Sequence, residues 1–201
     1  MILLTTTLNF FFLLTPFFVL LLFLDICKNK TLKEQHRIAN KTSLYILSIS
    51  LIILFFGNHI FTLLGITLMA FQIGSGLILL LSGINMMQDK DVKTRNLESN
   101  ADPSLIPLTL PITVGPGTIG ALFVLGSQMN HSTLINNIFA VLGILLAVLG
   151  IWLLLYFSNY ILKLIGHNGL RVLSKLTGLF LSILAVQSIL NGITCFIKLF
   201  I

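Results

Sequence analysis

The chain predicts an all-α integral membrane fold: six transmembrane helices forming two inverted three-helix repeats, with helices one and four broken near mid-membrane. Three observations carry this expectation. The 201 residues are 56% apolar and 9% charged, with a mean hydropathy of +1.04, whereas a soluble domain carries roughly 25% charged residues. Six apolar stretches reach the length of about 20 residues that a crossing helix needs. A short motif recurs in the two halves: LFFGNHIFTLLG at 54–65 and LYFSNYILKLIG at 155–166, an offset of 101.

Helix one is placed near 7–27. It lacks a basic leading region, and its apolar run exceeds the about 7–15 residues of a signal peptide, so it reads as a retained helix. Helix two lies near 42–62. Gly57-Asn58-His59 then marks an exit, and the short apolar run after it is expected to lie flat at the interface. Helix three is placed near 67–87. The polar segment QDKDVKTRNLESNADPS, 88–104, is the one linker. Helix four is placed near 105–126, helix five near 135–158 and helix six near 174–197. The chain is thus one membrane domain: a first repeat at 1–87, a cytoplasmic linker at 88–104 and a second repeat at 105–201. Asn58 and Asn159 read as caps or turn residues.

Charge placement sets orientation. Lys28, Lys30, Lys33, Arg37 and Lys41 follow helix one, and Lys90, Lys93 and Arg95 follow helix three. Lys163, Arg171 and Lys175 lie between helices five and six, and Lys198 falls on the other side. This positive-inside pattern puts both termini outside. The net charge of +6 therefore encodes topology, and no nucleic-acid motif accompanies it. Cys27 and Cys195 fall at opposite ends, too far apart for the Cα spacing of about 7 Å that a disulfide tolerates. The four histidines split between the two faces with no metal-ligand spacing, so neither metal nor cofactor is expected.

The duplication extends beyond the motif. Pro16 and Pro116 are 100 apart, and Gly74 and Leu77 match Gly178 and Leu181 at a slightly larger offset. Three helices per repeat require the second copy to enter upside down. The charges agree: the loop after helix one is basic, while its counterpart at 128–133 carries no formal charge.

The breaks Thr15-Pro16 and Gly115-Pro116-Gly117 are the candidate site. Each proline removes a donor and frees the carbonyl four residues back: Phe12 for Pro16, Pro107 for Pro111, Ile112 for Pro116. Thr15 and Gly115 read as N-caps with proline at the next position. The amides beyond, at Phe17, Phe18, Gly117 and Thr118, would lack helical partners and attract an anionic group. Matched broken helices at mid-membrane mark transporter binding sites. The expected solute contacts are Thr15, Pro16, Phe17, Pro111, Thr113, Gly115, Pro116, Gly117 and Thr118. The acidic residues all lie at or beyond cytoplasmic helix ends, and the membrane-embedded polar set is neutral: Gln72, Ser75, Asn85, Thr109, Gln187 and Asn191 join the threonines. Net-charged cargo would more often need an embedded ionisable group. The pairs Ala70/Gly74, Gly117/Ala121 and Gly143/Ala147 allow close helix approach or a homo-oligomer face.

The segments PLTLPITVGPGTIGALFVL (107–125) and GLRVLSKLTGLFLSILAVQSILNGI (169–193) resemble the MarC-type integral membrane proteins. So do LLTPFF (13–18) and FFGNHIFTLLGITLMAFQIGSG (55–76). The resemblance covers nearly the whole chain. It implies a bacterial inner-membrane protein of about six helices, some relatives of which are described as transporters of glycine and alanine. Relatives typically carry Asn-Pro where this chain has Thr15-Pro16, and often a proline at the position of Leu20. The leading expectation is a secondary transporter of a small neutral solute such as a neutral amino acid, with the lipid bilayer as its other partner. The alternative is a non-transporting scaffold, or a membrane protein without retained transport activity. An intramembrane enzyme is not expected, because no nucleophile, acid–base pair or metal set lies in the membrane.

Overall fold

The structure is a computed structural model that describes residues 2–65, 67–88, 104, 108–129 and 134–198. Regular structure among the described residues is wholly helical: α1 (Ile2–Leu13), α2 (Pro16–Cys27), α3 (Leu32–Leu64), α4 (Leu68–Met87), a π-helical turn (Leu108–Thr113), α5 (Pro116–Met129), α6 (Leu134–Tyr156) and α7 (Ser158–Ile197). Four segments are long and apolar enough to cross a membrane alone: Leu32–Phe56, Met69–Met87, Leu134–Tyr156 and Ser158–Ile197. The helices α1 and α2 reach that length as one span, bent by 42°. In place of the fourth expected span stands the π turn followed by a short apolar helix, Gly117–Ser127. The six expected spans thus reduce to four or five among the described residues. Of the linker, Gln88 and Ser104 alone are described.

The α1–α2 break follows from Pro16. A residue before proline is pushed out of the right-handed helical region, and Thr15 sits at φ 51, ψ 56, a left-handed conformation. The chain tightens as it approaches: Leu14 donates to Phe10 O at 2.9 Å, then Thr15 N–H donates to Phe12 O at 3.0 Å. The Phe12 carbonyl, expected to be free, is therefore occupied. Helix α2 then restarts with Pro16 in its first turn and Thr15 as N-cap, without a side-chain cap bond.

The second break is built differently. Val114 N–H reaches back five residues to Thr109 O at 2.9 Å. Three threonine hydroxyls do the same: Thr109 to Ser104 O at 2.7 Å, Thr113 to Leu108 O at 2.6 Å and Thr118 to Thr113 O at 3.1 Å. A π turn and its prolines disrupt the ordinary ladder, and the threonines supply donors to its carbonyls.

Two helix starts differ from expectation. Helix α3 begins at Leu32, not near 42, and runs unbroken through Gly57-Asn58-His59 to Leu64. No flat interfacial run follows Asn58, because the helix continues. Its start is fixed by a capping box: Glu34 Oε2 accepts from Thr31 N and Thr31 Oγ1, both at 2.8 Å, while Glu34 N–H donates to Thr31 Oγ1 at 3.4 Å. Helix α7 begins at Ser158, not near 174. Lys163, His167 and Arg171 are exposed on its surface instead of in a loop. It bends at Gly166, whose φ of 73° and ψ of 167° are non-helical. Gly65, at φ 63°, ends α3 in the same way. Both positions need positive φ, which glycine adopts without a Cβ clash, and they close the two copies of the recurring motif.

Packing centres on α4 against α7. A Cβ on Gly83 would lie 2.6 Å from Gly178 O, and one on Gly178 would lie 2.7 Å from Gly83 O. The two backbones touch because neither carries a side chain there. Helix α6 is apolar all round, and its neighbours decide which side is covered. Ala140, Ile144, Ala147, Ile151 and Leu155 are buried, whereas Leu142, Leu145, Leu149 and Leu153 are exposed. Gly143 of α6 meets Thr6 of α1. Of the small-residue pairs, Gly143/Ala147 and Gly117 pack inside the molecule, while Ala70 and Gly74 are exposed.

Candidate functional site

The two breaks meet. Thr118 Oγ1, in the first turn of α5, lies 3.3 Å from Leu13 O at the end of α1 and shares its proton with Thr113 O. That contact joins residues 105 positions apart in the chain. Leu13 and Gly117, which flank it, line a cavity of about 300 Å³ between α1, α4, α5 and α7. The cavity thus reaches the residues beside both breaks.

Among the described residues, no ionisable side chain lines this cavity. Its polar groups are the hydroxyls of Thr6, Ser75 and Ser188 and the carboxamides of Asn9, Gln72, Gln187 and Asn191. They come from α1, α4 and α7. Helical geometry explains the grouping. Thr6, Asn9 and Leu13 recur at three- and four-residue steps, as do Gln72, Ser75 and Leu79, and Gln187 and Asn191, so each set shares one helix face. Ser188 Oγ donates to Gln72 O at 3.2 Å, fixing α7 on α4. Gln187 donates to Asn191 at 3.3 Å across one turn. The walls between are apolar, from Phe10, Leu79, Leu125 and Leu184. A pocket with apolar walls and a few convergent polar groups has the form of a small-molecule site.

Of the expected contact residues, Gly117 lines the cavity. Its missing side chain leaves room for Leu79, whose Cδ1 would lie 2.5 Å from a Cβ there. Thr113 and Thr118 are buried, with their hydroxyls on backbone carbonyls. Pro111 lies within the π turn, Gly115 joins that turn to α5, and Pro116 opens α5. Pro16 is buried and Phe17 half-buried at the start of α2. Thr15 differs from these. It is 7% exposed, left-handed, and its Oγ1 has no hydrogen-bond partner. A buried orphan hydroxyl costs about 1–3 kcal/mol, and non-glycine backbone strain of this kind gathers at functional sites.

Sequence reasoning had grouped Gln72, Ser75, Gln187 and Asn191 only as embedded polar residues, and it missed Thr6, Asn9 and Ser188. The three- and four-residue spacing carried part of that signal. What it lacked was which helices face one another.

Residues 1–197 match the family model described as MarC family integral membrane protein. The chain belongs to the MarC family. A UPF0056 membrane protein of Methanocaldococcus jannaschii is 35% identical to it over 192 residues, covering 92% of each chain. One from Buchnera aphidicola of Schizaphis graminum is 30% identical, over 96% of this chain and 97% of its own. The UPF0056 inner membrane protein MarC of Escherichia coli is 29% identical, over 91% of this chain and 90% of its own. No solved structure matches the chain. This MarC-family chain is therefore a multi-pass integral membrane protein with the bilayer as its surroundings.

Proposed function

We propose that this MarC-family protein is a secondary transporter, not an enzyme, and that it moves a small neutral solute such as a neutral amino acid by alternating access. The observation that carries the reading is the uncharged polar cavity beside two helix breaks that touch through Thr118 and Leu13. Broken helices meeting beside a cavity are the usual construction of a transporter site.

An inverted duplication underlies alternation, and three pairs of features support it. Pro16 opens α2 and Pro116 opens α5. Gly65 and Gly166 share a left-handed φ. Gln35 Nε2 donates to Cys27 O at 3.2 Å, and Asn137 Nδ2 donates to Met129 O at 3.0 Å. In both latches a carboxamide near the start of one helix holds a carbonyl eight residues back, near the end of the half-helix before it. The separations within these pairs are 100, 101 and 102 positions. The reading places the basic start of α3 and the α6–α7 junction in the cytoplasm of a bacterial inner membrane, with both termini and the cavity mouth outside. The name of the Escherichia coli relative supports the inner membrane.

The test is uptake and efflux of labelled glycine and alanine in proteoliposomes, comparing the unmodified protein with Gln72→Leu. The variant is expected to lose flux at least tenfold while keeping its melting temperature within a few degrees. Flux no greater than in empty vesicles, for both solutes and in both directions, would overturn this reading. A Gly117→Leu change is unsuitable, because the new side chain would collide with Leu79.

A further inference from the structure

A second cavity, of about 200 Å³, lies at the opposite end of the molecule. Its lining includes Leu24, Asp25 and Cys27 of α2, Gln35 of α3 and Asn159 of α7. Two of its residues have counterparts in the larger cavity: Leu24 and Asp25 match Val124 and Leu125, each 100 positions on. The second repeat thus contributes to one cavity the positions that the first contributes to the other.

A hydrogen bond joins two residues that line the small cavity. Asn159 Nδ2 donates to Gln35 Oε1 at 2.6 Å, linking residues 124 positions apart. Gln35 is itself held, donating to Cys27 O at 3.2 Å and Lys30 O at 3.0 Å. Two further contacts join the same elements. The His36 ring stacks on Tyr156 with centroids 4.0 Å apart, and Trp152 Nε1 donates to Asn40 Oδ1 at 2.7 Å. Together they bind the first turns of α3 to the α6–α7 junction. The Asn159–Gln35 bond joins two carboxamides, so it can part without separating an ion pair.

We infer that this cavity is the closed vestibule of the same path, and that the Asn159–Gln35 hydrogen bond is its gate. The inference rests on the transport reading and adds to it the residues that must separate when the far side opens. Cys27 is the built-in reporter. It lines the vestibule, is 2% exposed, and its carbonyl holds the gating glutamine. Cys195 is exposed and serves as a reference.

The experiment measures N-ethylmaleimide labelling of Cys27 against Cys195, resolved by mass spectrometry, in membranes. Asn159→Ala, which removes the gating bond and leaves the Gln35 bonds to Cys27 O and Lys30 O in place, is expected to raise Cys27 labelling about fivefold, the factor one net hydrogen bond contributes to an opening equilibrium. An unchanged rate overturns the gate. A Gln35→Cys/Asn159→Cys pair bridged by a short bismaleimide is expected to hold Cys27 labelling below the unmodified rate. Labelling at or above that rate overturns the gate, whatever the alanine variant does. The same bridge is expected to arrest solute flux. The two readings fail separately. Absence of flux in the unmodified protein removes the transporter, whereas a bridged protein that transports at full rate removes the gate alone.

Discussion

Replacing Thr15 by asparagine is expected to stabilise the protein by about 1 kcal/mol. Thr15 is the one non-glycine residue with positive φ among the described residues. A left-handed L-residue with a Cβ costs roughly 1–2 kcal/mol, and a β-branched one fares worst. Asparagine visits this region readily, because its short polar side chain bonds to nearby backbone. The left-handed geometry also gives a physical reason for the Asn-Pro that the family resemblance implies at this position. A chain of 150–250 residues shifts by about 2–4 °C per kcal/mol, so Thr15→Asn is expected to melt about 2–4 °C higher. The melt can be followed by the emission of the single tryptophan, Trp152. Thr15→Val separates strain from hydrogen bonding. It keeps the β-branch and removes the orphan Oγ1, a change worth about 1 kcal/mol if that group stays unpaired. If the hydroxyl meets solute during transport, the valine variant keeps its stability and loses flux. A lower melting temperature for Thr15→Asn would refute the claim that backbone strain is held at this break.

Other expectations follow from contacts elsewhere. Gly178→Ala is expected to cost about 1–3 kcal/mol by overpacking, since its Cβ would sit 2.7 Å from Gly83 O; a melt unchanged from the unmodified protein would show that α4 and α7 can move apart freely. Asn40→Ala removes the acceptor of Trp152 Nε1, and the tryptophan emission is expected to shift; an identical spectrum would mean that the bond does not form in the membrane. On the repeat reading, Gln35 matches Asn137 and Asn159 matches Asn58, so an Asn58→Cys/Asn137→Cys pair is expected to bridge when the cavity on the terminal side closes. Bridging of that pair is expected to lower flux, as is bridging of the Gln35→Cys/Asn159→Cys pair, and bridging without effect on flux would count against reciprocal gating.

The break positions were readable because proline acts locally. Pro16 and Pro116 remove donors whatever surrounds them, and each begins a helix. Gly65 and Gly166 stood in the sequence as the last residues of a recurring motif, and both proved to need positive φ. The capping box at Thr31 and Glu34 was also present in the sequence as a helix-start pattern, yet the start of α3 was placed near 42. The polar residues before 42 read as loop, because a search for apolar spans cannot register a helix that continues past the apolar run. The same cause displaced the start of α7. The π turn had no such signal. Its hydrogen bonds five residues back depend on Thr109, Thr113 and Thr118 turning toward the backbone, and a threonine in sequence does not reveal where its hydroxyl points.

The amino-acid sequence determined that this chain is helical, lives in a bilayer and breaks at Pro16 and Pro116. Those properties come from composition and from backbone chemistry within a few residues. Tertiary structure decided which polar residues share a cavity, that Thr118 reaches Leu13, and that Gln35 meets Asn159 over 124 positions of chain. Helices that are apolar on every side carry no stripe to mark the inner face, as the buried and exposed leucines of α6 illustrate. Which face turns inward is settled by where glycine lets one backbone touch another, and that is a property of the pair and not of either helix.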